Sequence, residues 1–198
     1  MYKRTLPSIA VSLLIFSLTA CKKDNTGGVK GPLDGDWALS SMHVTSSHTV
    51  ENTDGSFTDK TVLLSDYTTT NNTGVVAIAS EVMSAKDLAY TRSSSDIFTE
   101  YQNGTLVQHD TLPGAVSEPP NSSNVSFKLV GTDSIYFSYG PPIPLGNSTN
   151  VGGKYTLKDN VLTMTLFYDQ TSPSGFIAGQ VNGTSHYLGT TYITLTRK

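Results

Sequence analysis

The chain predicts an antiparallel all-β domain, and three observations carry that expectation. Apolar and polar side chains alternate with a period of two, turn-forming pairs interrupt the alternation about every ten residues, and no stretch after residue 34 sustains helical i, i+3, i+4, i+7 spacing. Counting the alternating runs gives about eight strands, which suits an up-and-down β-barrel or a β-sandwich. Composition agrees, because Ser and Thr make up roughly a quarter of the 198 residues: Thr serves branched strand positions, and Ser serves loops together with Asn and Gly. A formal charge of −3 gives no cationic face for nucleic acid.

Taken in order, the first twenty residues are an address. Lys3-Arg4 precedes an apolar run from Ile9 to Phe16 and then small residues, the layout of a secretory signal peptide. A membrane-spanning helix needs about 20 apolar residues, and this run is shorter. Residues 21–34 are polar and glycine-containing and read as a flexible tether, with the folded domain at 35–198. Removing Lys3 and Arg4 with the leader takes the formal charge from −3 to −5, which argues against a basic membrane-hugging face.

The first strand opens at Gly35-Asp36-Trp37-Ala38-Leu39, and Asp54-Gly55 supplies a hairpin turn before Phe57. Ser80 to Tyr90, with Val82, Ala85 and Ala89, is the one stretch where a short helix competes with a strand. Asn103-Gly104 marks the next hairpin, and Gly131-Thr132-Asp133 turns between Phe127-x-Leu129 and Ile135-x-Phe137-x-Tyr139. The proline-containing stretches Leu112–Asn124, Gly140–Gly153 and Ser172–Gly175 read as long loops, since proline denies ladder hydrogen bonds. If Asp159-Asn160 forms a two-residue type I′ loop, Lys158 faces Val161 and Leu157 faces Leu162. Tyr155, Leu157, Leu162, Met164 and Leu166 then share one face and are candidate linings of an internal pocket. Asn182-Gly183 precedes the last strand, in which Thr191, Ile193 and Leu195 share a side.

Two resemblances refine this. Leu18-Thr19-Ala20-Cys21 resembles a bacterial lipobox, which implies that Cys21, the only cysteine, is lipidated on sulfur and becomes the mature N-terminus. Acyl chains contribute about 0.8 kcal/mol per buried CH₂, so a multiply acylated cysteine is a firm anchor. The folded part then holds no thiol for a disulfide, a metal or catalysis. Lys22-Lys23-Asp24 partly resembles the export signal of surface lipoproteins in Bacteroidetes-type bacteria, with Asn25 in place of a second acid, so the expected location is the outer membrane, on its periplasmic or cell-surface side.

Gly35-x-Trp37 resembles the Gly-x-Trp opening of lipocalin-like folds, in which the tryptophan plugs one barrel end and a basic residue late in the last strand covers it. Trp37 is the only tryptophan and Arg197 stands at the end of the final strand. Lipobox, tether, Gly-x-Trp and Thr-rich strands together resemble the lipocalin-like lipoproteins of Bacteroidetes-type bacteria, which implies an eight-stranded antiparallel barrel rather than a sandwich.

Chemistry is sparse. His43, His48, His109 and His186 show no helical ligand spacing. Gly152-Gly153-Lys154 lacks the Ser or Thr of a phosphate loop, and Ser185-His186 lacks a nucleophile elbow. Neither catalytic residues, a metal nor a cofactor is expected. Asp110-Thr111-Leu112 and Asp133-Ser134-Ile135 match a short O-glycosylation signature of such bacteria, which marks Thr111 and Ser134. The expected function is non-enzymatic: a lipid-anchored barrel that binds a small apolar ligand, or a surface protein that meets a glycan or protein partner through its long loops.

Overall fold

Eight antiparallel strands follow one another in chain order and close into a barrel, the last pairing with the first. They are β1 (Gly35–Asp54), β2 (Phe57–Ala79), β3 (Val82–Gln102), β4 (Thr105–Val130), β5 (Ser134–Phe137), β6 (Val151–Lys158), β7 (Val161–Ser174) and β8 (Gly183–Arg197). The computed structural model describes residues 31–142, 151–174 and 183–198. The leader, Cys21 and most of the tether lie outside the described residues.

Turn chemistry sets the register. Asp159 and Asn160 take φ of 47° and 65°, and Lys158 pairs with Val161 and Leu157 with Leu162, the predicted two-residue loop. Asn103 and Gly104 (φ 48° and 77°) join β3 to β4 in the same way, with Gln102 opposite Thr105. Both carry residue types that tolerate left-handed backbone. The expected turns at Asp54-Gly55 and Gly131–Asp133 are also present, with Asp54 paired to Phe57 and Val130 to Ser134.

One open alternative is resolved and one local expectation is corrected. Ser80–Tyr90 is no helix: Ser80-Glu81 forms the β2–β3 turn with both φ positive (50° and 63°), and β3 begins at Val82. Its inward positions Met83, Ala85 and Leu88 are buried, so burial outweighs the weak helical spacing. Leu112–Asn124 is no loop either but the middle of β4, which pairs with β3 from Ser126 back to Thr105. Its prolines fit because β4 is an edge there: beyond Phe127–Val130, which pairs with β5, no other described strand bonds its far side. Of the remaining expected loops, residues 143–150 and Gly175 lie outside the described set, Val151–Gly153 belong to β6, and Ser172–Ser174 to β7.

Unequal strand lengths divide the barrel into two storeys. At the lower end all eight strands contribute, β5 with only four residues, and the core gathers there around Trp37, Met42, Met83, Phe127, Phe137, Leu162, Met164 and Leu195. Gly153 lets β6 and β7 close tightly, since a Cβ there would collide with the Thr165 backbone. Above that collar β1–β4, β7 and β8 continue upward without β5 and β6. The buried Gly140–Pro142 segment lies beside this gap, and the Ser123 hydroxyl donates to the Pro142 carbonyl at 2.8 Å.

The lower end is shut by Trp37, which is fully buried. Its indole N–H donates to the Leu33 carbonyl at 3.0 Å, the Arg197 guanidinium carbon lies 4.7 Å from the ring centroid, and Arg197 Nη2 donates to the Pro32 carbonyl at 3.3 Å. Trp37 and Arg197 are also cross-strand partners in the β1–β8 ladder that closes the ring. The side-chain contact implied by Gly-x-Trp and the late arginine is therefore present.

Three stability outcomes are expected. Trp37→Ala should lower the unfolding free energy by about 3–5 kcal/mol, and Arg197→Met by about 0.5–2 kcal/mol, both read from urea midpoints. Replacing Ser80-Glu81 by Asn-Gly should raise it by about 1–2 kcal/mol, because left-handed backbone costs residues with a Cβ about that much; an unchanged midpoint would contradict a strained turn.

Candidate functional site

Above the core, the inward-facing side chains change character. On β1, Met42 and Val44 give way to Ser46 and His48; on β3, Met83, Ala85 and Leu88 give way to Tyr90 and Arg92; on β4, Glu118 takes an inward position. Together with Leu63, Ser65 and Tyr67 of β2 and Tyr187 of β8 they line a half-enclosed cavity of about 300 Å³. This is the inside of the barrel's upper end, opposite Trp37.

Its floor is aromatic. Tyr168 and Tyr187 stack at 5.0 Å with rings 17° apart, and His48 meets Tyr187 edge-on at 5.7 Å. Gly189 makes room for this layer, since a Cβ there would fall on the Tyr168 hydroxyl. That hydroxyl is buried and faces Tyr187 and Ser46. His48 Nε2 bonds the Ser185 hydroxyl at 2.9 Å. Among the described residues no carboxylate orients His48, so the pair lacks the third member of a nucleophilic triad.

The charges are arranged unusually. The Arg92 guanidinium lies 5.2 Å from the Tyr67 ring centroid, and its Nε is buried without a partner. Glu118 stands opposite Tyr90 in the β3–β4 ladder, one pair removed from Arg92, which stands opposite Val116. Neither charge forms an ion pair or a side-chain hydrogen bond among the described residues. Burial pushes the Tyr90 phenol up to about 12, with Glu118 adding to the shift and Arg92 opposing it. Burial, helped by Tyr90 and Tyr187, carries Tyr67 higher still. Both phenols are therefore neutral hydrogen-bond donors at physiological pH.

The residues expected to line a pocket are placed elsewhere. Leu162, Met164 and Leu166 are fully buried in the lower core, and Tyr155 packs against that core partly buried. Leu157 faces Leu162 as expected but sits at the lower rim and is 39% exposed. They share a face, yet none of them borders the cavity. The pattern of alternation gives the face of a side chain, not its height in the barrel. Glu118 was missed because Leu112–Asn124 read as a loop, and Arg92 because it lies just past the ambiguous Ser80–Tyr90 stretch; once β3 is a strand, Leu88-x-Tyr90-x-Arg92 is itself an inward alternation.

The other sequence candidates are surface features. His43 pairs with Asp66 at 2.8 Å, His186 with Asp169 at 2.7 Å, and His109 with Thr99 at 3.1 Å, each across neighbouring strands. Thr111 is exposed on β4. Ser134 donates to Asp133 at 2.9 Å and accepts from Lys154 at 3.0 Å; the Lys154 ammonium, which donates directly to Asp133 at 2.9 Å, and then the Ser134 hydroxyl hold the Asp133 carboxyl below its ordinary range. An open groove of about 750 Å³ crosses the outward face of β3, β2, β1, β8 and β7, where Leu64, Phe167 and Leu188 are exposed. No group of three metal-binding side chains occurs among the described residues. No protein-family model, curated protein or solved structure matches the chain.

The tyrosines predict a pH response. Burial raises their folded-state pKa above the unfolded value of 10, so on this flank the unfolded chain releases a proton that the folded chain keeps. The tyrosine contribution to stability should be level below pH 10 and fall between about pH 10 and 12. In Tyr90→Phe that fall should be shallower; an identical alkaline slope would show that Tyr90 does not contribute to it.

Proposed function

We propose that the protein is a cell-envelope lipoprotein, anchored through Cys21, whose lipocalin-like barrel binds a small ligand at its open end. The observation that carries the reading is the half-enclosed cavity of about 300 Å³ above a filled core, walled by tyrosine rings and by two opposite charges that form no ion pair among the described residues. A close-packed interior needs no such polar, aromatic-lined space, whereas small-ligand sites combine apolar walls with a few convergent polar groups. The ligand originally expected was apolar; Arg92, Glu118 and His48 support an amphipathic one instead.

Orientation supports the same reading. The chain enters the barrel at the Trp37-plugged end, where Leu33 and Pro32 are fixed by Trp37 and Arg197. An anchor at Cys21 would therefore join the barrel at its closed end and leave the cavity mouth clear of the attachment point. The competing reading of a surface interaction protein loses one of its long loops, since Leu112–Asn124 is strand, but retains the outward groove beside Leu64, Phe167 and Leu188.

Two measurements test the proposal. Cells expressing the full chain should incorporate labelled palmitate into it, and Cys21→Ser should abolish the label; label retained in that variant would refute the anchor. Native mass spectrometry of the protein purified gently from its own host should show a discrete extra mass lost on denaturation. A bare mass, together with no thermal shift from any small molecule in a broad panel, would redirect attention to the outward groove.

A further inference from the structure

The cavity holds one fixed charge of each sign, and neither is satisfied by the protein. Arg92 and Glu118 occupy diagonal positions on neighbouring strands, where Cα atoms are about 7–8 Å apart, and they form no ion pair with each other. Each leaves its charge facing a half-enclosed space where screening by water is reduced. Resting on the proposed small-ligand reading, the geometry points to a compact zwitterion as the ligand, namely a free α-amino acid with an aliphatic or aromatic side chain.

Charge balance selects this class. A simple anion would satisfy Arg92 but approach Glu118, and a simple cation would do the reverse. A neutral polyol would leave both charges without a counter-charge while displacing their water. An α-amino acid carries a carboxylate for the Arg92 fork and an ammonium for Glu118 on adjacent atoms. Size agrees: at about 30 Å³ per water, a 300 Å³ cavity holds roughly ten waters, the scale of one amino acid. Val44, Leu63 and the faces of Tyr90 and Tyr187 provide the apolar wall that a side chain such as leucine's would cover. The stacking of Arg92 on Tyr67 holds the guanidinium plane in place before anything binds.

Calorimetric titration of the full-length chain in detergent micelles tests the inference. The probes are L-leucine, L-phenylalanine, N-acetyl-L-leucine, which lacks the ammonium, L-leucinamide, which lacks the carboxylate, and glucose. L-Leucine or L-phenylalanine should bind at least tenfold more tightly than either single-charge analogue. Arg92→Gln should erase the preference for leucine over leucinamide, and Glu118→Gln the preference for leucine over N-acetyl-leucine. Glu118 lies on the edge strand, so its variant gives a second reading if Arg92→Gln fails to fold, and Trp37 fluorescence checks folding in both. Equal affinity for the analogues, or binding of glucose alone, overturns the zwitterion while leaving a small-ligand site in place. No binding by any probe overturns it as well, and the native mass then decides whether the cavity has another occupant.

Discussion

Everything in this barrel depends on how the ring is shut. β1 and β8 are the ends of the folded chain, and their ladder runs from Trp37 opposite Arg197 up to Asn52 opposite Gly183. At its lowest rung the two side chains also stack, so a single cross-strand pair both joins the sheet's edges and plugs its base. The Leu33 and Pro32 carbonyls tie the incoming chain to the same pair. Burying an indole with its N–H satisfied and its face covered by a cation removes the costs that otherwise accompany a large aromatic at a barrel end. Once that end is fixed, register propagates upward through two-residue turns that leave little freedom for slippage.

The second constraint is length. A ring of eight equal strands would enclose a uniform interior, but β5 has four residues where β4 has 26. Full enclosure is thus confined to the level where every strand is present, and the large aliphatic and aromatic residues concentrate there. Above it, partial exposure makes hydroxyl, imidazole, guanidinium and carboxylate groups tolerable at inward positions, because water or a ligand can reach them. The change from hydrophobic core to polar cavity along the inward row of β3, from Met83 across the irregularity at Lys86-Asp87 to Arg92, follows from that change in enclosure rather than from a separate binding module.

Much of this was legible in the chain. Asp159-Asn160, Asn103-Gly104 and Gly131–Asp133 named their turns because Asn, Asp and Gly accept positive φ, and the Trp37–Arg197 contact was anticipated from their positions at the two ends. Ser80-Glu81 escaped notice because neither residue favours the conformation it adopts; sheet pairing on both sides imposes it. The prolines of β4 spoke against a strand only on the assumption that both its flanks were bonded. The candidate site was not legible, because alternation assigns Leu162 and Tyr187 to the same interior without saying that one lies below the collar and the other above it.

One flank of β4 bears on the solution behaviour of the whole molecule. From Thr105 to Ser126 the only backbone ladder of this strand among the described residues is with β3, which leaves a long run of backbone donors and acceptors turned outward. Such a rim can recruit further strands, from another copy or an unfolded chain, and so seed fibrils. Pro113, Pro119 and Pro120 interrupt it with positions that have no N–H to offer, and the stretch before them carries Gln108, His109 and Asp110 rather than a continuous apolar run. The barrel can therefore hold its upper end open without becoming a nucleus for its own polymerisation.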